Sequence, residues 1–318
     1  MRRWPEKFSS KPLHIPVMAN KVVELVGDCP DGVFVDATLG SGGHFKAVID
    51  AYGDRFRYFG FDLDSEILGQ TRKEVAAYNP DAVLINSNFA QIAKFLQGRG
   101  ISEISAALFD LGIGSFQIDD PSRGFSYLQD GPLSMSFQSR DQEAAAIIGD
   151  MSEQDLTALF YKYGEEPKAK LLARAIKNYP GPLTTTGQLA GIIKSAVGER
   201  AFIKSAARIF QALRIEVNRE FDNITEGLET VLPLIAPGGR AMIITYHSLE
   251  DHLVKRLLKK YSGKCICPPK LPECRCGKVK MFRPVTSKPI LADAKEIKNN
   301  SRARSAKMRV VERIAIAS

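Results

Sequence analysis

Three apolar stretches of the sequence each end in an acidic residue, at Asp36, Asp62 and Asp110. Short apolar stretches of this kind predict buried β-strands. In α/β proteins with parallel strands, ligands bind at the carboxyl ends of the strands. We therefore expect the three carboxylates at the ligand-binding edge of one sheet.

A glycine-rich turn follows the first of these acids, in the sequence DATLGSGGH of residues 36–44. Gly42 and Gly43 permit a tight turn and a close approach of a ligand to the backbone, which a Cβ atom would block. The residues from Phe45 to Tyr52 then predict a helix. A strand, a glycine turn and a helix N-terminus form the cofactor end of a doubly wound sheet, although such a turn is also common without a ligand.

The acids also indicate which cofactor fits. A carboxylate at the tip of the second strand, here Asp62, commonly accepts hydrogen bonds from both hydroxyls of an adenosine ribose. NAD and S-adenosylmethionine share that ribose. A carboxylate at the mouth of the turn, here Asp36, would repel a pyrophosphate and attract an ammonium group. We therefore favour S-adenosylmethionine, and an NAD-dependent oxidoreductase is the alternative.

Strands and helices alternate at the spacing of βαβ units, which predicts an α/β fold with a doubly wound, mostly parallel sheet. Further strands are predicted at residues 82–85, 241–245 and 308–316. One helix is predicted near residues 209–235, and residues 1–12 predict a loose arm.

Between the fourth strand and residue 209 the sequence predicts helices and loops without a buried strand. We predict a discontinuous cofactor-binding domain of residues 13–115 and 210–318, and an inserted helical substrate-recognition domain of residues 116–209. Insertions at strand ends commonly set substrate specificity.

The composition, with a formal net charge of +8 and a pI near 9.2, favours a polyanionic partner, although scattered surface lysines would give the same charge. A basic run at residues 302–309 and a basic helix face with Lys255, Arg256, Lys259 and Lys260 are candidates for phosphate contacts. No apolar stretch approaches the roughly 18 residues that span a bilayer. We expect a cytoplasmic protein without membrane contact.

Four of the five cysteines lie within twelve residues, at Cys265, Cys267, Cys274 and Cys276. In a reducing compartment, such clustering suggests a metal more than disulfides. The C-x-C spacing is tight for a tetrahedral zinc site. The sequence leaves zinc and four reduced thiols equally open, so we assign no metal ligand from it.

The fourth strand ends in DLGIGSFQ, residues 110–117, and further motifs accompany it. They are HIPVM (14–18), DATLGSGGH (36–44), DDPSRGFSYLQDGPL (119–133), YGEE (163–166), FQALRIEVNRE (210–220), PGGR (237–240), HSLED (247–251) and SRARSAKMR (301–309). With these motifs the chain resembles the bacterial small-subunit ribosomal RNA (cytosine-N4)-methyltransferase family, from about His14 to Arg313.

The resemblance implies a class I, Rossmann-like methyltransferase fold, S-adenosylmethionine as methyl donor and a decoding-region cytidine of 16S rRNA as acceptor. It implies cofactor contacts at Gly42, Gly43, His44, Asp62, Phe89, Asp110 and Gln117. The partner implied is 16S rRNA, within the small ribosomal subunit, and a homodimer stays open.

Two residues are candidates for the methyl-transfer step. The exocyclic amine of cytosine is a poor nucleophile, and an acceptor for one of its hydrogens would assist it. Asp110, or a backbone carbonyl of the turn at residues 111–115, fits that role, and Asp110 could instead hold the ammonium group of the cofactor. His247, at the end of the fifth strand, is a second candidate on the substrate side.

The chain departs from the family pattern in one loop. Where the family usually carries Asp-Met-Arg-Met-Asp, residues 134–138 read SMSFQ, and GSFQ at residues 114–117 replaces Ser-Ser-Pro-Gln. Two acids and an arginine are thus missing. This keeps open a second function, that of a non-catalytic RNA-binding ribosome-assembly factor on the same fold.

Overall fold

The computed structural model describes residues 16–138, 143–268 and 273–315. The predicted N-terminal arm, residues 1–12, lies outside the described residues, as does residue 316 of the predicted last strand. The chain forms two compact units, one of Met1–Gly112 with Asn223–Ser318 and one of Ile113–Asp222. We call them the sheet unit and the helical unit.

The sheet unit begins with alternating helices and strands. They are α1 (Ala19–Gly27), β1 (Gly32–Asp36), α2 (Gly43–Tyr52), β2 (Phe56–Asp62), α3 (Ser65–Ala76), β3 (Val83–Asn86), α4 (Ile92–Gln97) and β4 (Ile104–Asp110). Asp64 starts α3, because its carboxylate accepts the backbone N–H groups of Glu66 and Ile67 at 3.1 and 3.2 Å.

The helical unit follows. Its helices are α5 (Ser115–Asp119), α6 (Ala144–Asp150), α7 (Glu153–Gly164), α8 (Ala169–Lys177), α9 (Thr186–Val197) and α10 (Glu199–Val217). Side-chain caps fix where two of them begin. Ser152 accepts the N–H of Asp155 before α7, and Thr185 and Gln188 cap each other's backbone N–H groups at α9. The apolar faces of these helices form a core of their own, with Phe160 and Leu172 among its fully buried residues.

The chain then returns to the sheet. The remaining elements are α11 (Glu220–Val231), β5 (Ile235–Thr245), α12 (Ser248–Tyr261), β6 (Phe282–Pro284), β7 (Ile290–Leu291), α13 (Ala294–Asn299) and β8 (Lys307–Arg313). The sheet order is β3-β2-β1-β4-β5-β8-β6, and β7 also pairs with β8. Neighbouring strands from β3 to β5 are parallel, and β8 is antiparallel to its three partners. This confirms the predicted doubly wound, mostly parallel α/β fold of the Rossmann type.

The predicted helix over residues 209–235 is wrong in its continuity. The helix stops at Val217 because Arg219 adopts a left-handed backbone with φ 49°, and α11 then starts anew. A short 3-10 turn containing Pro233 ends α11, and β5 begins at Ile235, six residues before the predicted strand.

None of the helices in the described parts of the chain is long and apolar enough to cross a membrane.

Candidate cofactor and catalytic site

The three acids found in the sequence end three neighbouring strands of the sheet. Asp36 ends β1, Asp62 ends β2 and Asp110 ends β4, and β1 pairs with both other strands. The parallel register places all three carboxylates at one edge, as their spacing predicted. The sheet unit therefore carries a concentration of negative charge at its carboxyl edge.

Asp36 is the most buried of the three, with 1% of its surface exposed. Burial raises the pKa of Asp36 to about 7; the charge of His44 and the N–H of Thr38 oppose this rise, whereas Asp110 and Asp62 add to it. The Thr38 N–H donates to Asp36 Oδ1 at 3.1 Å. A carboxyl group with a pKa near neutrality is stabilised in its charged form by a cation placed nearby.

Asp62 is tied to the glycine turn. The N–H of Gly40 donates to its Oδ2 at 2.6 Å, and the N–H of Asp64 donates to its Oδ1 at 2.8 Å. The hydroxyl of Thr71 donates to the carbonyl of Gly40 at 2.7 Å, which fixes the turn from the α3 side. These hydrogen bonds hold the Asp62 carboxylate beside the glycine turn, at the tip of β2.

The two glycines of the turn have close surroundings, and Gly42 also has a left-handed backbone. Gly42 has φ 71°, and a Cβ atom there would lie 2.9 Å from Cγ2 of Thr71. A Cβ atom on Gly43 would lie 3.0–3.2 Å from the ring of Pro16. Both positions thus have a structural reason for glycine in addition to the predicted cofactor contact.

His44, in the first turn of α2, lies between the N-terminal segment and Asp110. Its Nε2 is 2.8 Å from the carbonyl oxygen of Val17, so Nε2 carries the hydrogen and donates it. Its Nδ1 is 3.7 Å from Asp110 Oδ2. The imidazole, only 6% exposed, therefore has one fixed orientation beside the carboxylate.

Asp110 has a second neighbour that the sequence did not identify. The hydroxyl of Tyr246 donates to Asp110 Oδ1 at 2.7 Å, and the backbone N–H of Asp110 donates to Thr38 Oγ1 at 2.7 Å. Burial, followed by the Asp110 charge, raises the pKa of Tyr246 well above its usual value, so the phenol stays protonated and donates. The signal that could have found it is strand adjacency, since Asp110 on β4 lies opposite Ile244, two residues before Tyr246.

His247 is the residue that caps α12. Its Nδ1 accepts the N–H of Glu250 at 3.4 Å, and its Nε2 lies 2.9 Å from Glu250 Oε1. Glu250, which is fully buried, also accepts the N–H of Tyr246 at 2.9 Å. These contacts give His247 a structural task at the end of β5, and its place on the substrate side stays a prediction.

Phe89 follows β3 and lies near the same strand ends. Its ring packs edge-on against Phe109 with 5.9 Å between centroids. A Cβ atom on Gly227 of α11 would lie 2.5 Å from its Cδ2, so the helix backbone covers part of the ring. Phe89 is half-buried, which leaves part of the side chain accessible.

Gln117 belongs to the helical unit. Its side-chain oxygen accepts the N–H of Gly114 at 3.1 Å, at the start of α5, and 5% of its surface is exposed. The structure therefore gives Gln117 a local task within its own unit, and its contact with a cofactor stays a prediction.

Comparison with known proteins identifies the family of this chain. The ribosomal RNA small subunit methyltransferase H of Carboxydothermus hydrogenoformans is 39% identical over 309 residues, covering 96% of this chain and 99% of that protein. The protein of the same name from Clostridioides difficile is 39% identical over 307 residues, covering 95% of this chain and 99% of that protein. A crystal structure of a rRNA methylase from Streptococcus thermophilus covers 97% of this chain and 100% of that one, with a TM-score of 0.41 and 12% identity, a likeness too loose to bear on function. The model of the MraW methylase family matches residues 11–314, and the chain belongs to that family.

Proposed function

We propose that this protein transfers a methyl group from S-adenosylmethionine to the N4 amine of a cytidine in the 16S RNA of the small ribosomal subunit. Membership of the MraW methylase family and the names of its relatives support an RNA methyltransferase. The observation that carries the choice of cofactor is the carboxylate edge formed by Asp36, Asp62 and Asp110.

This edge fits the charge of the cofactor. S-adenosylmethionine has an ammonium and a sulfonium group, and when bound it supplies a methyl group activated by the positive sulfur. The raised pKa of buried Asp36 marks a position where a cation is stabilising. A pyrophosphate would be repelled there, which argues against the NAD alternative.

The residues that would hold the cofactor are those identified in the sequence, Gly42, Gly43, His44, Asp62, Phe89, Asp110 and Gln117. Asp62 would accept hydrogen bonds from the ribose hydroxyls, because its carboxylate lies at the tip of β2. Phe89 would present its accessible surface to the adenine ring.

Asp110 is proposed to accept a proton from the N4 amine of the cytosine. The loss of that proton to the carboxylate leaves a lone pair on N4 that can attack a methyl carbon. Tyr246 holds Asp110 Oδ1 through its hydrogen bond, and the His44 ring lies beside Oδ2 with its Nδ1 at 3.7 Å, so the carboxylate has a side chain next to each oxygen. We place His247 on the substrate side, where it would orient the base through the end of β5.

The predicted insertion of residues 116–209, which falls within the helical unit, is proposed to recognise the RNA, presented within the small-subunit particle. A homodimer is part of the same proposal and would be checked by sedimentation. Reaching a base in folded RNA requires turning it out of its stack.

The deciding experiment is nucleoside mass spectrometry of 16S rRNA from cells with and without this protein, followed by methyl transfer in vitro. Asp110→Asn keeps the shape and removes the charge, so it should lower the rate about 10²-fold or more. Asp81→Asn makes the same chemical change at an exposed site and should leave the rate unchanged.

Two other outcomes are informative. If saturating cofactor restores most of the rate of Asp110→Asn, Asp110 holds the cofactor instead of the amine. If wild-type protein binds cofactor and particle but no N4-methylcytidine forms, the assembly-factor function replaces the enzyme, and the altered loop at residues 134–138 is the first cause to examine.

That loop is well packed where it is described. Met135 is fully buried with φ 58°, and Phe137 stacks on Phe125 at 5.4 Å and 22°. The Asn218 side chain holds the loop at two points. Its oxygen accepts the N–H of Phe137 at 2.9 Å, and its nitrogen donates to the carbonyl of Met135 at 2.8 Å. The departure from the family pattern has thus replaced charged positions by an apolar contact.

A further inference from the structure

The four clustered cysteines converge in the segment between α12 and β6. The sulfur atoms of Cys265, Cys267, Cys274 and Cys276 all lie within 4.8 Å of one another. Two of the separations are 3.4 Å, from Cys274 to Cys276, and 4.0 Å, from Cys276 to Cys265. All four are free thiols.

These separations match a single tetrahedral ion. With Zn–S bonds of about 2.3 Å, the edges of a regular ZnS₄ tetrahedron are about 3.8 Å long. A disulfide would need sulfurs about 2.05 Å apart. In an iron–sulfur cluster the cysteines ligate different iron atoms, which spreads the sulfurs more widely than one shared ion does.

Backbone groups point at the sulfurs as they would at thiolates. The N–H of Ile266 lies 3.5 Å from the sulfur of Cys276, and the N–H of Cys267 lies 3.4 Å from that of Cys265. The N–H of Arg275 lies 3.3 Å from the sulfur of Cys267. Donors directed at sulfur stabilise the deprotonated form that binds metal.

Apolar packing does not account for this convergence. Between Ser262 and Lys280, none of the residues that the structure describes is buried. The two ends of the segment are held together, since Val279 N–H donates to Lys260 O at 3.1 Å and Met281 N–H donates to Tyr261 O at 2.9 Å. Beyond these backbone bonds, a small exposed loop needs a cross-link to stay folded.

The charge of the segment is also suitable. Four thiolates and one divalent ion carry a net charge of −2, and such a centre is stabilised by nearby cations. The segment supplies Lys264, Arg275, Lys278 and Lys280. All four of these side chains are on exposed residues, so they can neutralise the centre without a cost of burial.

We propose that Cys265, Cys267, Cys274 and Cys276 bind one structural Zn²⁺, which folds the segment between α12 and β6 and fixes its basic side chains in place. The site has four sulfur ligands and no open position, so its role is structural. It lies outside the carboxylate edge, and its occupancy does not depend on the proposed methyl transfer.

The test is the metal content of the full-length protein purified without chelators. Elemental analysis should find roughly one zinc per chain, and a mercurial thiol reagent should release it into a colorimetric zinc indicator. Each of Cys265→Ser, Cys267→Ser, Cys274→Ser and Cys276→Ser should lower the zinc content to roughly none. Cys29→Ala removes the one cysteine outside the cluster, a buried thiol, and should keep the full zinc content.

Two further measurements do not depend on the stability of the variants. Replacing zinc by Co²⁺ in the wild-type protein should give the sulfur-to-cobalt charge-transfer bands of a tetrahedral thiolate site. Trypsin should cleave after Lys264, Arg275 and Lys278 faster once the metal has been removed, while circular dichroism shows the remainder still folded.

The proposal is overturned if the purified protein contains no metal and gives no cobalt spectrum, or if iron occupies the site. It is equally overturned if mass spectrometry finds the four cysteines as two disulfides, or if all four serine variants keep their zinc.

Discussion

At the scale of single residues, the burial of Asp36 disfavours its charged form, and this has a measurable consequence. Its pKa rises from 3.8 to about 7 in the folded protein, with burial as the main cause. The folded state therefore binds this proton more tightly than the unfolded state does. The stability linked to it is full below pH 3.8 and is lost as the pH rises through about 7.

We predict that Asp36→Asn removes this loss. The free energy of unfolding of the wild type should fall relative to the variant by about 1.4 kcal/mol per pH unit between the two pKa values. Urea unfolding at a series of pH values measures both curves. Parallel curves for the two proteins would show that Asp36 titrates normally in the folded state.

A variant of the contact between Tyr246 and Asp110 can distinguish the two roles proposed for the Asp110 carboxylate, which are binding the cofactor and accepting a proton from the amine. Tyr246→Phe keeps the ring and removes the hydrogen bond of 2.7 Å. If Asp110 accepts the hydrogen of the amine, kcat should fall about tenfold, the size of one lost charge-assisted hydrogen bond, with little change in cofactor Kd. A higher cofactor Kd with an unchanged kcat would assign Asp110 to the cofactor instead.

At the scale of the elements, the turn between β1 and α2 depends on its glycine geometry. Gly42→Ala should destabilise the protein by roughly 1–3 kcal/mol, because alanine is strained in the left-handed backbone of this position and its Cβ atom would collide with Thr71. Gly69→Ala is the matched control, because a Cβ atom at this position in α3 meets nothing within 4 Å.

Gly69→Ala should therefore leave stability unchanged or raise it by up to about 1 kcal/mol, the gain in helix propensity. Thermal unfolding of both variants gives the comparison. A Gly42→Ala protein as stable as the wild type would show that the turn can adopt another conformation.

The elements that the sequence predicted are those with strong local signals. The strands ending in Asp36, Asp62 and Asp110 were found because apolar residues and an acid follow one another directly. Strands β6 and β7 were missed because they span three and two residues, and their pairing with β8 is the only interaction that defines them as strands. So short a stretch has no period to recognise.

Contacts between residues far apart in sequence also could not be predicted for the site. Asp110 and Tyr246 are 136 residues apart in sequence, and only the pairing of β4 with β5 brings them together. Arg219 shows the limit for backbone conformation, because its left-handed φ interrupts a stretch whose apolar pattern continues through it. The sequence thus predicted the fold and the carboxylate edge, and not the partners that orient them.

At the scale of the whole molecule, with its net charge of +8, the basic segments differ in how many of their basic side chains are exposed. In the run at residues 302–309, Arg309 is paired with Asp251 at 2.7 and 3.0 Å, Lys307 Nζ lies 3.7 Å from the same carboxylate, and Arg304 is the one basic residue that is exposed. On α12, Lys260 pairs with Glu229 at 2.7 Å, whereas Lys255, Arg256 and Lys259 are exposed. The exposed face of α12 is therefore the better candidate for contact with phosphates.

We predict that Lys255→Ala, Arg256→Ala and Lys259→Ala each weaken RNA binding. Each should also reduce the slope of log K against log salt concentration by about 1, as for one lost phosphate contact. Lys73→Ala removes the same charge from an exposed position on α3 and should leave the slope unchanged. Fluorescence anisotropy with small-subunit RNA over a range of salt concentrations measures this. Equal slopes for all variants would exclude the α12 face from the interface.

The position of β8 has a consequence for how the protein is made. This strand lies between β5 and β6, although it is the last of the described strands in the chain. Arg240 on β5 pairs with Glu312, 72 residues later, and β6 pairs only with β8 among the described strands. On a translating ribosome, the edge of β5 that pairs with β8 therefore stays unpaired until residues 307–313 have left the exit tunnel. During that interval the nascent chain exposes a strand edge that can pair with other chains. The yield of folded protein in the cell should therefore depend on chaperones that bind the chain before its synthesis ends.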